Sequence, residues 1–199
     1  MYHNTCQVIV AVKQRRTEIL KAAIELIADE GYASLSMRAL AREVGMKLAS
    51  LQYHFRSWDD LLQAIVSYVS EAYGQSFAAL KQSEEQIGIR EIVIFILIDE
   101  TGANISGDRL WPQLWAMQQV EPLVSELVED IYSTYLQVLE QALRDAGASA
   151  PHAEALLLMS MLEGSTIFMG EGRRWQKDVE TVRQSVLEFI GDRYGESKS

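Results

Sequence analysis

The sequence predicts an all-α protein of about nine helices. Three observations carry that expectation. The chain has 199 residues, 48% of them hydrophobic, enough to bury a real core. It holds only three prolines, Pro112, Pro122 and Pro151. Ala, Leu, Glu and Gln are used freely while runs of β-branched residues stay short, a composition that favours helices. Nothing in the sequence reads as a β-hairpin, an internal repeat or a low-complexity segment.

Residues 1–12 include the apolar run QVIVAV. No basic stretch precedes it and no small-residue cleavage site follows, so it reads as a frayed or tag-like extension and not as a signal peptide. A first helix is expected over about 14–30, with Leu20, Ala23, Ile24, Ile27 and Ala28 at helical spacing and Gly31 as its stop. Ser36 caps a short second helix, 37–44, whose Met37, Leu40, Ala41 and Val44 repeat at i, i+3, i+4 and i+7 before Gly45. Leu48, Leu51 and Phe55 then form a narrow apolar stripe, consistent with a third short helix near 47–54. Ser57 can cap a fourth, long helix from Trp58 to about Lys81.

A fifth helix is expected over 86–101, followed by a Gly/Asn/Ser/Asp-rich loop at 102–108. The sixth contains Trp111, Trp115 and Met117 and ends before Glu121-Pro122, because the residue ahead of a proline disfavours helix. The seventh spans about 122–146 with Gly147 as its stop, the eighth opens at Pro151 and runs to about Phe168, and the ninth covers about 177–193. This order divides the chain into the extension 1–12, a three-helix unit 13–57 and a helical body 58–199.

Charge is distributed unevenly. The chain carries −10 in all, yet residues 1–56 hold eight Lys/Arg against five Asp/Glu. A basic end on an acidic body suggests that the N-terminal end is the part that meets a polyanion. The single Cys6 suits a reducing cytoplasm, no Cys/His cluster has metal-ligand spacing, and no window reaches the roughly 18 apolar residues of a membrane span. A Gly-rich phosphate loop and a local nucleophile-base signature are also missing, so neither catalysis nor a cofactor is expected.

Two short helices joined by one glycine turn resemble a helix-turn-helix. With Leu48, Leu51 and Phe55 inward, the third helix presents Lys47, Ser50, Gln52, Tyr53 and His54. Gln can make a paired contact with adenine, Lys can reach guanine or phosphate, and the hydroxyls and the imidazole can bond backbone oxygens. Ser36 and Arg38, near the start of the second helix, would meet phosphates where unpaired amides already favour anions. The bland alternative is a solvated polar face.

The string Leu51-Gln52-Tyr53-His54-Phe55-Arg56-Ser57-Trp58 is similar to the closing segment L-Y-x-H-F-x-S-K of the TetR family of DNA-binding regulators. The resemblance covers about residues 14–70 and rests beyond that on helix count and length. It implies that Ser36, Lys47, Ser50, Tyr53 and His54 stand at sites that contact DNA, that Phe55 belongs to a small core, and that the C-terminal helices bind a ligand and form a dimer. Two positions depart from the pattern: Gln52 stands where tyrosine is usual, and Trp58 replaces a frequent phosphate-touching lysine.

The eighth helix, with Leu156, Leu157, Leu158, Met159, Met161, Leu162, Ile167 and Phe168, has more apolar surface than one core face needs. A homodimer through the eighth and ninth helices is the expectation, with the central helix of a monomer as the alternative. Candidate ligand contacts are Phe95, Trp111, Trp115 and Met159, with Asp99 and Glu163 as polar groups in apolar surroundings. The sequence thus reads as a regulator released from double-stranded operator DNA by a small-molecule effector. Two alternatives stay open: an activator of the same build, and a helical carrier or partner-binding module with a vestigial helix-turn-helix.

Overall fold

Neither glycine nor proline occurs in residues 2–30, and α1 runs unbroken from Tyr2 to Glu30. It therefore begins well before the expected residue 14, and the QVIVAV run continues the helix instead of preceding it. Core-facing periodicity starts only at Thr17, but a helix once nucleated propagates through any stretch that lacks a breaker. The computed structural model describes residues 2–83, 87–98 and 109–195.

Among the described residues the remaining helices are α2 (Met37–Glu43), α3 (Leu48–His54), α4 (Trp58–Ser83), α5 (Ile89–Ile98), α6 (Leu110–Met117), α7 (Pro122–Asp145), α8 (Pro151–Met169) and α9 (Val179–Tyr194), and no strand is present. The all-α architecture of about nine helices is as the sequence predicts. The loop expected at 102–108 and the ends of the expected fifth helix lie outside the described residues. No helix among those described is long and apolar enough to cross a membrane.

The helix ends follow from local chemistry. Ser36 Oγ accepts the Ala39 N–H at 3.1 Å and Ser57 Oγ accepts the Asp60 N–H at 3.1 Å, so both serines cap as their positions suggest. Asp60 in turn accepts the Arg56 N–H at 2.9 Å. Pro122 and Pro151 occupy the first turns of α7 and α8, where a missing N–H costs nothing.

Burial follows the apolar periodicity. Ile19, Ala23, Ile24 and Ile27 of α1 pack with Leu40, Leu51, Phe55 and Leu61 into one cluster. The same cluster continues into the body through Val69, Tyr73 and Phe77 of α4 and takes in Trp111, Leu127, Ile131 and Tyr135. Cutting a fully buried Leu40 or Leu51 to alanine is expected to cost ~2–5 kcal/mol. A second cluster joins α5, the end of α7, α8 and α9 around Val93, Leu139, Leu143 and Ala155.

Candidate functional site

The turn between α2 and α3 depends on Gly45, whose φ of +64° is left-handed. That conformation lets the Met46 N–H reach back to Ala41 O at 2.8 Å and the Gly45 N–H to Arg42 O at 3.1 Å, closing α2 tightly. α3 then starts at once, with Leu51 and Phe55 fully buried beneath it. Lys47, Ser50, Gln52 and Tyr53 are exposed, Tyr53 at 77%. His54 is half-buried and meets Tyr53 edge-on at 5.5 Å. Ser36 and Arg38 are exposed at the start of α2. The seven candidate residues therefore lie on two packed helices, six of them exposed, and Ser36 also serves as a cap.

Two basic residues of the N-terminal end turn inward. Arg15 Nη2 donates to Val44 O at 3.1 Å, at the end of α2, and Arg16 Nη1 donates to His54 O, at the end of α3. Both α1 arginines thus serve orphan carbonyls at helix C-termini, where positive charge is favoured. Charge counting alone assigned them to the surface potential; their reach across 29 and 38 residues of sequence has no local signal.

The unit is tied to the body at one corner. The Tyr32 hydroxyl donates to Glu121, just ahead of α7, and its ring packs beside that of Trp58 at the start of α4. Burial, with the Glu121 carboxylate next, holds this hydroxyl protonated well above the usual tyrosine range. Trp58 lies 6.1 Å from the Tyr32 ring, so at this position an inward aromatic contact replaces a lysine's outward charge. Arg109 pairs with Asp29 at the end of α1 and sits 3.4 Å from Glu171, beyond α8.

In the body, the candidate ligand residues divide. Trp111 and Glu163 line one cavity of about 30 Å³ between α5, α6, α7, α8 and α9, together with Tyr135, Thr166 and Arg183. Trp115 joins them at one remove, its Nε1 donating to the Tyr132 hydroxyl at 2.8 Å. That hydroxyl meets Glu163, and burial followed by the Glu163 charge raises it far above the ordinary tyrosine range. Phe95 packs 6.3 Å from Tyr135 and 5.6 Å from Phe77. Met159 is buried in the main cluster, and Asp99 lies outside the described residues. Tyr132, Tyr135 and Arg183 were missed as site residues; a tyrosine pair three apart on α7 is the signal that could have found the first two.

A short helix seated by a glycine turn over a closed core, with its polar side outward, defines a helix-turn-helix protein. Residues 19–65 match the family model described as bacterial regulatory proteins, tetR family. The HTH-type transcriptional regulator UidR of Escherichia coli K12 is 26% identical over 131 residues, covering 66% of this chain and 65% of UidR, so the chain spans just under two thirds of that relative's length. The fatty acid metabolism regulator protein of Bacillus subtilis is 23% identical over 193 residues, 90% of this chain and 96% of that one. A crystal structure of a transcriptional-regulator protein from Saccharomonospora viridis in complex with choline superposes with a TM-score of 0.72 at 25% identity, covering 91% of this chain and 97% of that one. Over residues 19–65 the chain is similar to the TetR family of DNA-binding transcriptional regulators, and over most of its length it is similar to whole regulators of that fold.

Proposed function

We propose that this regulator is a ligand-responsive repressor: a homodimer that holds operator DNA through α3 and lets go when a small molecule enters the body. The observation that carries the reading is the division of α3, with Leu51 and Phe55 closed off while Gln52 and Tyr53 stand out. In this reading Gln52 and Lys47 meet base edges, and Ser36, Arg38, Ser50, Tyr53 and His54 meet the phosphate backbone.

Dimerisation through α8 and α9 is supported by their exposed apolar side chains. Leu157, Ile167 and Phe168 are 53%, 51% and 57% exposed, and Phe189 of α9 adds 38%. Large apolar side chains left this exposed favour burial against a symmetry mate. Two recognition helices of such a dimer enter successive major grooves when about 34 Å apart.

Effector action follows from the ties at the corner. A molecule that widens the 30 Å³ cavity lined by Trp111 and Glu163 moves α6. The Asp29–Arg109 and Tyr32–Glu121 links then pass that motion to α1 and the turn before α2. The effector need only prefer the released state, and a hundredfold preference corresponds to about 2.7 kcal/mol. The choline held by the Saccharomonospora viridis protein supports a small-molecule site in a body of this shape.

The test is fluorescence anisotropy on duplex DNA flanking the protein's own gene. Affinity that falls steeply with salt and is lost in Lys47→Ala and Tyr53→Ala supports the reading. If no duplex competes above background while a small molecule still raises the melting temperature, the carrier reading takes its place.

A further inference from the structure

Glu163 faces aromatic rings. The Tyr132 hydroxyl, which accepts from Trp115 at 2.8 Å, meets its carboxylate. The Trp111 ring centre lies 5.5 Å from that of Tyr132 and 5.6 Å from that of Tyr73. Trp111 and Tyr135 line the same cavity as the carboxylate. Ring faces carry partial negative charge and attract a cation within about 6 Å of their centres. We propose, building on the effector site of the preceding reading, that this cavity takes a small organic cation of the quaternary or tertiary ammonium class, its nitrogen against Glu163 and its alkyl groups against Trp111 and Tyr135.

The charges around the cavity agree. Arg183 is part of the lining, but its Nη2 donates to Leu97 O at 2.9 Å and its Nη1 lies 3.9 Å from Glu180. Its charge is thereby directed to the α5 backbone and to a neighbouring acid. Half-buried among rings and aliphatic side chains, Glu163 has given up part of its hydration, and an ammonium group restores that loss by charge pairing. A volume of about 30 Å³ holds little more than a water molecule, so a cation bearing three methyl groups enters only by separating α6 from α8.

Calorimetry on the full chain tests this with three probes: choline, the neutral alcohol in which carbon replaces its quaternary nitrogen, and hexanoate. Choline is expected to bind at least tenfold more tightly than either of the others. Glu163→Gln is expected to bring choline down to the level of the neutral alcohol while leaving the alcohol unchanged. Equal binding of choline and alcohol, tighter binding of hexanoate, no choline binding at millimolar concentration, or full choline affinity in a folded Glu163→Gln variant each overturns the inference. The comparison of probes on the unmodified protein decides the matter even if the variant fails to fold. The regulator reading is scored separately by DNA anisotropy. Release by a non-cationic molecule alone keeps the regulator and overturns the cation. Choline binding by a chain that ignores DNA keeps the cation site and overturns the regulator.

Discussion

The guanidinium of Arg16 lies 4.2 Å above the ring of Phe55 and donates to the carbonyl of His54. One side chain of α1 thereby fixes both the last turn of α3 and the aromatic residue that seals the core under it. Its Nη2 also stands 3.7 Å from Asp60, so the same group reaches the start of α4. Arg16→Ala is expected to destabilise the protein by about 1–2 kcal/mol, read as a lower urea midpoint at unchanged slope. DNA affinity should fall as well, although Arg16 faces inward. Arg16→Lys should recover little, because a point charge cannot serve a ring face and a carbonyl together.

Gly45 tests the turn. The space where a side chain would project is empty to 4 Å, so only the backbone at φ +64° opposes substitution. Gly45→Ala should cost about 1 kcal/mol, and Gly45→Asn clearly less, since asparagine tolerates the left-handed region. Thermal melts of the two variants rank them; equal losses would contradict a purely conformational cause.

Tyr32→Phe removes the hydroxyl that donates to Glu121 while keeping the ring beside Trp58. Stability should drop by about 1 kcal/mol. The informative readout is coupling: the ratio of DNA affinities with and without effector should shrink several-fold while each ligand alone binds nearly as before.

Glu154 predicts an acid limb in stability. Its carboxylate accepts from Tyr194 Oη at 2.5 Å, from the Ala150 N–H at 3.1 Å and from Arg193 Nη2 at 3.2 Å. The Tyr194 bond first, then Ala150 and Arg193, lower its pKa from 4.5 to about 2. A depressed acid contributes in full above its unfolded pKa and loses that contribution as pH falls through the folded value. The contribution should thus be intact at neutral pH and fade between about 4.5 and about 2. Glu154→Gln should flatten that limb in urea titrations; an unchanged slope would remove Glu154 as its source.

Leu157→Arg and Phe168→Glu place charge on the exposed apolar side of α8. Sedimentation should show monomers for either variant with helical content retained, and DNA binding should weaken because paired half-sites are no longer engaged together.

Most of the fold is legible where one residue and its immediate neighbours decide the outcome. Ser36, Ser57, Gly45, Pro122 and Pro151 each mark a helix end through a cap, a left-handed turn or a missing N–H, and each end lies within a residue or two of its expected place. The polar side of α3 is legible for the same reason, since Leu51 and Phe55 fix its rotation. What escapes is decided by partners far along the chain. Arg15 and Arg16 read as surface charge until the ends of α2 and α3 come under them. Tyr132 carries no signal of its own until Trp115 and Glu163 meet its hydroxyl. Trp58 reads as a missing phosphate contact until the Tyr32 ring packs at a tilt beside it.

The tightness of the cavity beside Trp111 has a consequence for sensitivity. In the proposed reading a molecule larger than water binds there only once the helices part, so its apparent dissociation constant is its intrinsic one divided by the fraction of time the body stands open. Substitutions that loosen α6 without touching the lining should therefore make the switch respond at lower dose, and ones that stiffen it should deafen the switch to a molecule whose every contact is intact.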